Sequence, residues 1–448
     1  MSYVIKIKSQ YFNDVSSKKI SMPAIFTDSG LLISHARYLA HNSKKSASWR
    51  ERAVFAVMLL ITFINANTGR FSKASDLLRA FTNALTEGTI DFETLEDVSG
   101  LYWSARRLDD ARILLLHITS YTDWLILQEG YDGQRINKFR EATSTECRLN
   151  WCAYYHKKNG VFLSHLIGGG SELDKHKFAR DIRTPQVPVV EREMVSRFPE
   201  EMIGDLIRKG FVRSLVSFDA PDYSKMDYKG QAITLLMHYG GLRKSEALHI
   251  YVEDILIDEV RGEAVVRVYH PSNGKSPDEM FRTRREYLAK KFRLRPRTEY
   301  HRTERLHLGW KDPLLTDTSG CFKVFFFPPD KAMEFLLTWA NYLKHQRVPP
   351  PAGFEHPYAF TNSVGNPETL KNFQRLHAAA VRRIGLISKK YLGTTEHGHR
   401  HSYGYRLSEN GFSQIDIQKS LHHKDPQSSY VYTQPTSEDL REKMKRTE

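Results

Sequence analysis

The sequence predicts a mainly helical protein with a small antiparallel β-sheet, divided into a helical N-terminal domain and a larger C-terminal domain. The chain has 448 residues, which is too long for one compact core at about 150 residues per domain. Its 40% hydrophobic and 12% aromatic residues are enough to bury sizeable cores. Apolar residues mostly recur at helical spacing, and only a few short runs are β-branched and aromatic like strands.

The first domain is predicted for residues 1–185. The opening run MSYVIKIKSQYF alternates apolar and polar residues, which is typical of a strand. Residues 50–167 are predicted to be helical, because RERAVFAVMLLITFINAN is apolar along one long helix and because Leu77, Phe81 and Leu85 lie four residues apart. Gly160 is expected to end the last of these helices.

A linker is predicted between the domains. The run GGGSELDKHK, which begins at Gly168, breaks the helical pattern, and Pro185 and Pro188 follow in an extended stretch. A long surface loop inside a single domain is the alternative interpretation. The second domain is predicted for residues 194–448.

Short strands are set among helices in this second domain. QAITLLMHYGG predicts a helix that ends at Gly240 and Gly241, and KAMEFLLTWANYLKH predicts another. EAVVRVYHP and CFKVFFFPP are strand candidates closed by proline, and RLHLGW is a candidate partner strand for FKVFFFP. A basic insertion near residues 281–305, FRTRREYLAKKFRLRPRTEYHRTER, is expected to contact the backbone of a nucleic acid.

Charge and cysteine usage narrow the partners and the compartment. The net charge of +14 and a pI of about 9.4 favour a polyanionic partner such as nucleic acid. The cysteines Cys147, Cys152 and Cys321 form no C-x-x-C pair, as expected in a reducing cytosol. The most apolar run, Ala53–Ile64, is shorter than the roughly 20 residues of a membrane span. We therefore expect a cytoplasmic, nucleoid-associated protein with no membrane partner.

The run HGHRHSYGYRLSENG, which begins at His397, contains an unusual histidine cluster. We expect one helix from a cap near Thr395 to a stop at Asn410, with His397 and His401 on one face and His399 on another. A zinc site of the H-E-x-x-H type would need glutamate at the position of Gly398, and no cysteine pair or acidic ligand lies nearby. No metal and no cofactor are therefore expected.

Arginine within the cluster favours an anion instead. His397 and Arg400 are three residues apart, so that both can reach one phosphate from the same helix face. GGLRKSEALH precedes them and IQKSLHHKDPQSSYVYTQ follows. This ordered set resembles the tyrosine recombinase (phage integrase) family, in which the corresponding stretches read G-L-R-x-S-E, H-x-x-R-H, L-G-H and Y-T. The resemblance covers about residues 194–448.

The resemblance implies a set of site residues. Those assigned to catalysis are Arg243, Lys311, His397, Arg400, His423 and Tyr432. Glu246 and His401 are expected to support them. Tyr432 would be the nucleophile and His397 its base, while the two arginines would bind the phosphate oxygens. The nearby tyrosines Tyr403, Tyr405 and Tyr430 are its competitors, and the nine-residue interval from the family's third histidine favours Tyr432.

Two positions depart from the family's pattern. The glycine before the third histidine is His422 here, and this side chain is expected to face away from the site more readily than to act in it. The family's lysine lies at the turn of a β-hairpin, in the interval that the insertion enlarges. Lys311 is preferred because it follows RLHLGW, Lys275 is the alternative and Lys323 the third choice.

The activity that the resemblance implies is site-specific recombination or integration: DNA is cut and rejoined through a 3′-phosphotyrosyl intermediate, for integration or excision of a mobile element. The partner would be double-stranded DNA carrying recombination sites, and the helical N-terminal domain would help to bind it. The protein would act as a homotetramer on two DNA duplexes. Alternatives are a type IB-like topoisomerase, a catalytically inactive DNA-binding protein of the same fold, and a metal-dependent nuclease. The tail SEDLREKMKRTE is expected to form a helix that docks onto a neighbouring protomer.

Overall fold

The computed structural model describes residues 3–12, 19–159, 177–185, 195–213 and 219–433. The chain divides into two compact units, Met1–Val190 and Glu191–Glu448. Both contain helices together with small antiparallel sheets, so the predicted fold class is confirmed. Among the described residues, none of the helices combines the length and the apolar character that crossing a membrane requires.

The N-terminal unit begins with a three-stranded sheet. Its strands are β1 (Val4–Phe12), β2 (Lys19–Thr27) and β3 (Gly30–Leu31), and the separate pair β4 (Phe139–Glu141) and β5 (Phe178–Arg180) follows later in the chain. The helices are α1 (Ile33–His41), α2 (Ala47–Ala66), α3 (Ala74–Glu87), α4 (Leu108–Ile126) and α5 (Ser144–Asn159). The strand predicted at the start is β1, and the helices predicted after residue 50 are α2 to α5, interrupted by β4. Gly160 lies outside the described residues.

Asn137 fixes the end of the described part of this unit. Its side-chain oxygen accepts a hydrogen bond from the backbone N–H of Ile182, and its amide donates to the carbonyl of the same residue, both at 3.0 Å. Arg183 in turn pairs with Glu146 of α5 at 2.8 Å. The chain is thus held in the N-terminal unit up to about residue 183. Most of the predicted linker, including Gly168 and Pro188, lies outside the described residues.

The C-terminal unit contains the sheet β6 (Ile255–Asp258), β7 (Glu263–Tyr269) and β8 (Cys321–Lys323), in that order. Its first helices are α6 (Ile203–Asp205), α7 (Asp222–Lys225), α8 (Tyr228–His238), α9 (Lys244–Ala247) and α10 (Arg284–Phe292). They are followed by α11 (Lys331–His345), α12 (Leu370–Arg383), α13 (Glu396–Glu409), α14 (Gln414–Ser420) and α15 (Tyr430–Thr433).

Helix α8 is the centre of the C-terminal core. The Asp227 side chain caps it by accepting from the N–H of Gly230, and every residue from Lys229 to His238 is buried. It packs against α11 and α13. Val266 and Val268 of β7 and Phe322 of β8 belong to the same buried cluster. The core thereby holds α13 and the turn after α8 in fixed positions.

The prediction of a strand at RLHLGW is wrong. These residues form no strand, and β8 pairs with β7 instead. The backbone N–H of Leu308 donates to the carbonyl of Arg297 at 3.1 Å, while the Arg297 Nε donates to the carbonyl of Leu306, also at 3.1 Å. Contacts with the insertion therefore occupy the backbone groups that a strand would need.

Two of the insertion's arginines are internal. Arg284 is buried, donates with both terminal nitrogens to the Asp254 carboxylate, and lies 4.1 Å from the ring centroid of Tyr251. Arg297 is buried as well and donates to the carbonyls of Leu248 and Glu368, at 3.0 and 2.8 Å. These two side chains anchor the insertion, so the expectation that its arginines reach outward does not hold for them.

Candidate active site

Helix α13 carries the histidine cluster. Thr395 is its N-cap residue and Asn410 its C-cap residue, as predicted. His397 and His401 share one face, with ring centroids 4.4 Å apart. A Cβ atom at Gly398 would overlap the carbonyl oxygen of Gly393, so the start of this helix has no room for any larger residue there. Glycine thus allows the close packing that presents His397 and His401 together.

Arg243 lies at the N-cap of α9, directly after the turn that ends α8. Glu246, which is fully buried, accepts a hydrogen bond from the Arg243 backbone N–H at 2.8 Å and another from its guanidinium at 2.6 Å. The carboxylate therefore holds both the backbone and the charged end of Arg243. Glu246, which the sequence assigns a supporting role, is thus in direct contact with the first arginine.

Arg400 is buried beside this pair. Its guanidinium donates to the carbonyls of Gly241 and Leu421, and it lies 3.8 Å from the second oxygen of Glu246. Burial, followed by the nearby charge of Arg243, lowers the pKa of Arg400 to about 10. The group still carries its charge at neutral pH. One buried carboxylate thus lies between two arginines, which concentrates positive charge at one point.

Tyr432 approaches α13 from α15. Its side chain is 4% exposed, and its hydroxyl lies 2.9 Å from Nδ1 of His401. The ring lies against Gly404, where a Cβ would be only 2.7 Å from a ring carbon. Burial raises the pKa of the Tyr432 hydroxyl to about 12, although Arg400 and Arg243 lower it. Tyr432 makes this hydrogen bond with His401 rather than with His397, the base that the sequence favours.

The ring of Tyr405 packs edge-on against that of Tyr432, with centroids 5.4 Å apart, but the hydroxyls of Tyr403 and Tyr405 bond elsewhere. The Tyr403 hydroxyl donates to the carbonyl of Phe325 at 2.7 Å, and the Tyr405 hydroxyl accepts from the N–H of Val195 at 3.1 Å. Tyr430 is 48% exposed. Tyr432 is the member of this group whose hydroxyl contacts the histidine face of α13.

His423 completes the cluster. Its ring is nearly parallel to that of Tyr432, with centroids 6.4 Å apart. Nδ1 lies 2.8 Å from the hydroxyl of Ser429, which is fully buried. Desolvation, followed by the charges of Arg400 and Arg243, lowers the pKa of His423 to about 3. The ring is neutral at pH 7.

The other two histidines of the cluster are neutral for similar reasons. The pKa of His397 is lowered to about 4, first by desolvation and then by Arg400 and Arg243. That of His401 is lowered to about 3 by desolvation and then by His397 and Arg400. A neutral imidazole can accept a proton, so the cluster combines fixed positive charge with proton acceptors.

His422 faces away from the cluster, as expected. Its ring lies against Phe322 with centroids 3.8 Å apart, and neither ring nitrogen has a hydrogen-bond partner among the described residues. Its backbone has a φ of 53°, in the left-handed region that glycine adopts most easily. A glycine would suit this backbone, and here His422 adopts it with its ring packed against Phe322.

The three candidate lysines are all exposed. Within the described ranges, none of their ammonium groups makes a hydrogen bond or ion pair. Lys311 precedes Asp312, which pairs with Lys424 at 2.6 Å, so its segment lies beside the turn that carries His423. Lys275 bonds through its backbone N–H to the carbonyl of Ser319 at 2.8 Å, just before β8. The sequence favours Lys311 because it follows a predicted partner strand of β8. The strand that pairs with β8 is β7, so the same criterion now favours Lys275, which follows β7.

On the opposite face of α13, His399 packs against His238 of α8 and His377 of α12, and we call these three the core histidines. His399 lies 3.1 Å from His238 between their Nδ1 atoms and 2.8 Å from His377 between their Nε2 atoms. All three are fully buried, and Arg406 and Glu200 contact the outer nitrogen of His238. In the part of the chain that the structure describes, no group of His, Cys, Asp or Glu side chains is arranged to hold a metal ion.

Two residues near Tyr432 have no counterpart among the sequence predictions. Ser429 precedes Tyr432 by three positions, a spacing that places both on neighbouring turns and could have drawn attention to it. The contact of Gly404 with Tyr432 could not be predicted, because a glycine inside a helix indicates close packing but not the residue that packs there.

Part of the C-terminal unit matches a known family model. Residues 330–439 match the model of the phage integrase family. This segment contains His397, Arg400, His423 and Tyr432. The resemblance stated from the sequence is therefore confirmed, although Arg243 lies before the matched segment.

Solved structures of recombinases resemble the chain at low identity. A XerA recombinase is 13% identical, with 93% of this chain and 97% of that chain covered and a TM-score of 0.34. A XerH recombinase bound to its palindromic difH substrate is 12% identical, with 88% and 77% covered and a TM-score of 0.47. The Tn1549 transposon integrase in complex with transposon right end DNA is 13% identical, with 92% and 98% covered and a TM-score of 0.46. No curated protein sequence matches the chain.

Proposed function

We propose that the protein is a site-specific DNA recombinase of the integrase type, which cuts and rejoins DNA through a 3′-phosphotyrosyl intermediate during integration or excision of a mobile element. The observation that carries this proposal is the contact of the Tyr432 hydroxyl with His401, beside two arginines joined by Glu246. A nucleophile, a proton acceptor and an anion-binding group are thereby present at one place.

The reaction would begin with attack of the Tyr432 oxygen on a DNA phosphorus. A bond forms between this oxygen and phosphorus, the bond to the 5′ oxygen of the next nucleotide breaks, and the phenolic proton passes to the histidine face of α13. His401 lies within reach of that proton, and His397 is adjacent to His401. Arg243 and Arg400 would stabilise the negative charge that grows on the non-bridging oxygens.

The departing 5′ oxygen needs a proton, which a lysine ammonium would supply. Lys275 and Lys311 are the candidates, since both lie between β7 and β8. In the second half of the reaction a 5′ hydroxyl attacks the phosphotyrosine and releases Tyr432. The bond energy is kept in the protein–DNA link, so that rejoining needs no external energy source.

Binding of double-stranded DNA is part of the proposal. The XerH structure is a complex with a palindromic difH substrate, and the Tn1549 structure is a complex with transposon right end DNA. In this chain the insertion carries ten Lys and Arg against three Glu in residues 281–305, a net charge of +7 (10 − 3) out of +14 for the whole chain. Arg282, Arg293 and Arg305 are exposed there and make no ion pair among the described residues. Such groups suit phosphate contacts.

The N-terminal unit would grip the same DNA, and four protomers would join two duplexes. The tail proposed to dock on a neighbouring protomer, SEDLREKMKRTE, lies outside the described residues.

A suicide substrate tests the central claim. A labelled duplex with a nick near the cleavage site should become covalently attached to the protein in EDTA, because the arginines and a lysine supply the positive charge. Tyr432→Phe should abolish the adduct, since it removes the attacking oxygen alone, while Tyr430→Phe should retain it. Attachment at another residue, or free DNA ends that need magnesium, would contradict the proposal. Cleavage without sequence preference would favour a topoisomerase.

A second experiment examines the insertion. Neutralising Arg282, Arg293 and Arg305 to glutamine should weaken DNA binding and reduce the slope of log K against log salt by up to about 3, or about 0.9 per lost phosphate contact. Arg284 and Arg297 must be left intact because they anchor the fold. A slope equal to that of the wild type would show that these arginines are merely solvated.

A further inference from the structure

Ser429 and His423 form a buried pair in which the direction of the hydrogen bond is restricted. The hydroxyl of Ser429 lies 2.8 Å from Nδ1 of His423, and Ser429 is fully buried. Among the described residues, the Ser429 side chain makes no other hydrogen bond. Because a buried hydroxyl with no acceptor is costly, its proton should point at the ring nitrogen.

This direction fixes the tautomer of His423. An imidazole nitrogen that accepts a hydrogen bond carries no proton, so the single proton of the neutral ring must reside on Nε2. The ring is neutral because desolvation and the charges of Arg400 and Arg243 lower its pKa to about 3. His423 therefore presents an N–H donor at Nε2 and not a lone pair.

We propose that Ser429 is a positioning residue that holds His423 in the Nε2–H tautomer, so that Nε2 donates a hydrogen bond to a non-bridging oxygen of the reacting phosphate. The proposal rests on the proposed function for the identity of that oxygen. The tautomer itself is a property of the free protein. Ser429 would act through His423 without touching DNA.

The free protein provides the first test. With 15N-labelled histidine, long-range proton–nitrogen correlations distinguish the two tautomers, and His423→Gln identifies the signal. His423 should be in the Nε2–H form in the wild-type protein. Ser429→Ala should shift it toward a mixture, whereas Ser429→Thr, which retains the hydroxyl, should keep the wild-type form. The control Ser428→Ala changes an exposed neighbour and should have no effect.

Cleavage of a suicide substrate provides the second test. Ser429→Ala should lower the cleavage rate about 10-fold, the value of one hydrogen bond, at unchanged DNA affinity, and Ser429→Thr should restore most of the rate. A wild-type Nδ1–H tautomer, or a Ser429→Ala variant with an unchanged tautomer or an unchanged rate, would overturn the proposal. If the wild-type protein cleaves no DNA, the proposed function fails, while the spectrum still decides the assignment of Ser429.

Discussion

Two groups of histidines lie on opposite sides of helix α13, and their comparison is instructive. His397 and His401 lie beside Arg400 and Tyr432, whereas the core histidines contact mainly one another and Phe198. Both groups have lowered pKa values. The pKa of His238 and that of His377 fall to about 4, as does that of His397.

A lowered pKa therefore does not identify a catalytic histidine in this protein. Desolvation is the first cause on both faces. The difference lies in the neighbours: two arginines and a tyrosine hydroxyl surround the first group, and the second group has its hydrogen bonds inside the core. We infer function from what the ring can reach, and among the described residues the core histidines hydrogen-bond with each other and with the Glu200–Arg406 pair.

Substitutions of arginines on the two sides of α13 should differ most in their effects. Arg243→Ala should lower the cleavage rate about 100- to 1,000-fold, because in the proposed reaction Arg243 donates to the charge of the transition state. Arg406→Lys, on the side of the core histidines, should lower the melting temperature, since the Arg406 guanidinium donates to Glu200 and to the carbonyl of His238. Rates per folded molecule and thermal melts would separate these effects. Equal loss of rate in both variants would break the comparison.

The histidines themselves provide a finer test. His401→Gln should lower the cleavage rate about 100-fold, because glutamine can accept a hydrogen bond from Tyr432 but cannot take its proton. His397→Gln should cost less if His401 is the acceptor, and His399→Gln should leave the rate of the folded enzyme nearly unchanged. A larger loss for His397→Gln than for His401→Gln would return the role of base to His397.

The core histidines should make the folding stability fall at acid pH. In the unfolded chain a histidine has a pKa of about 6.5, whereas in the fold the pKa values of His238 and His377 are about 4. The unfolded state then binds more protons between these values, so stability should fall as pH falls from about 6.5 to about 4, by up to about 1.4 kcal/mol per pH unit for each such histidine.

Calorimetry across this range would measure the slope. A variant with His377→Phe and His399→Phe should show a shallower slope, whatever its absolute stability. A slope that matches the wild type would mean that these rings are not the groups that titrate.

The sequence predicts α13 from end to end, because its limits depend on local features, the cap at Thr395 and the stop at Asn410. It also predicts that His399 leaves the face shared by His397 and His401, since helix periodicity alone decides this. The strand character of β7 is equally local. Features of this kind need no knowledge of distant partners.

Long-range contacts account for what the sequence misses. The sequence of the insertion does not reveal that two of its arginines are internal. Arg284 binds Asp254 and Arg297 binds the carbonyl of Glu368, and both partners lie far away in the chain. The contact between Tyr432 and His401 depends on how α15 returns to α13. Likewise RLHLGW has strand composition, but the insertion occupies its backbone.

The pairing of Tyr432 with His401 occurs within one chain, and it has a consequence for mixed assemblies. If each subunit supplies its own nucleophile, an assembly that combines Tyr432→Phe subunits with Arg243→Ala subunits contains no intact centre. Complementation between the two defects should then fail at every mixing ratio. Cleavage should instead rise in proportion to the share of wild-type subunits, as expected when every copy is catalytically self-sufficient.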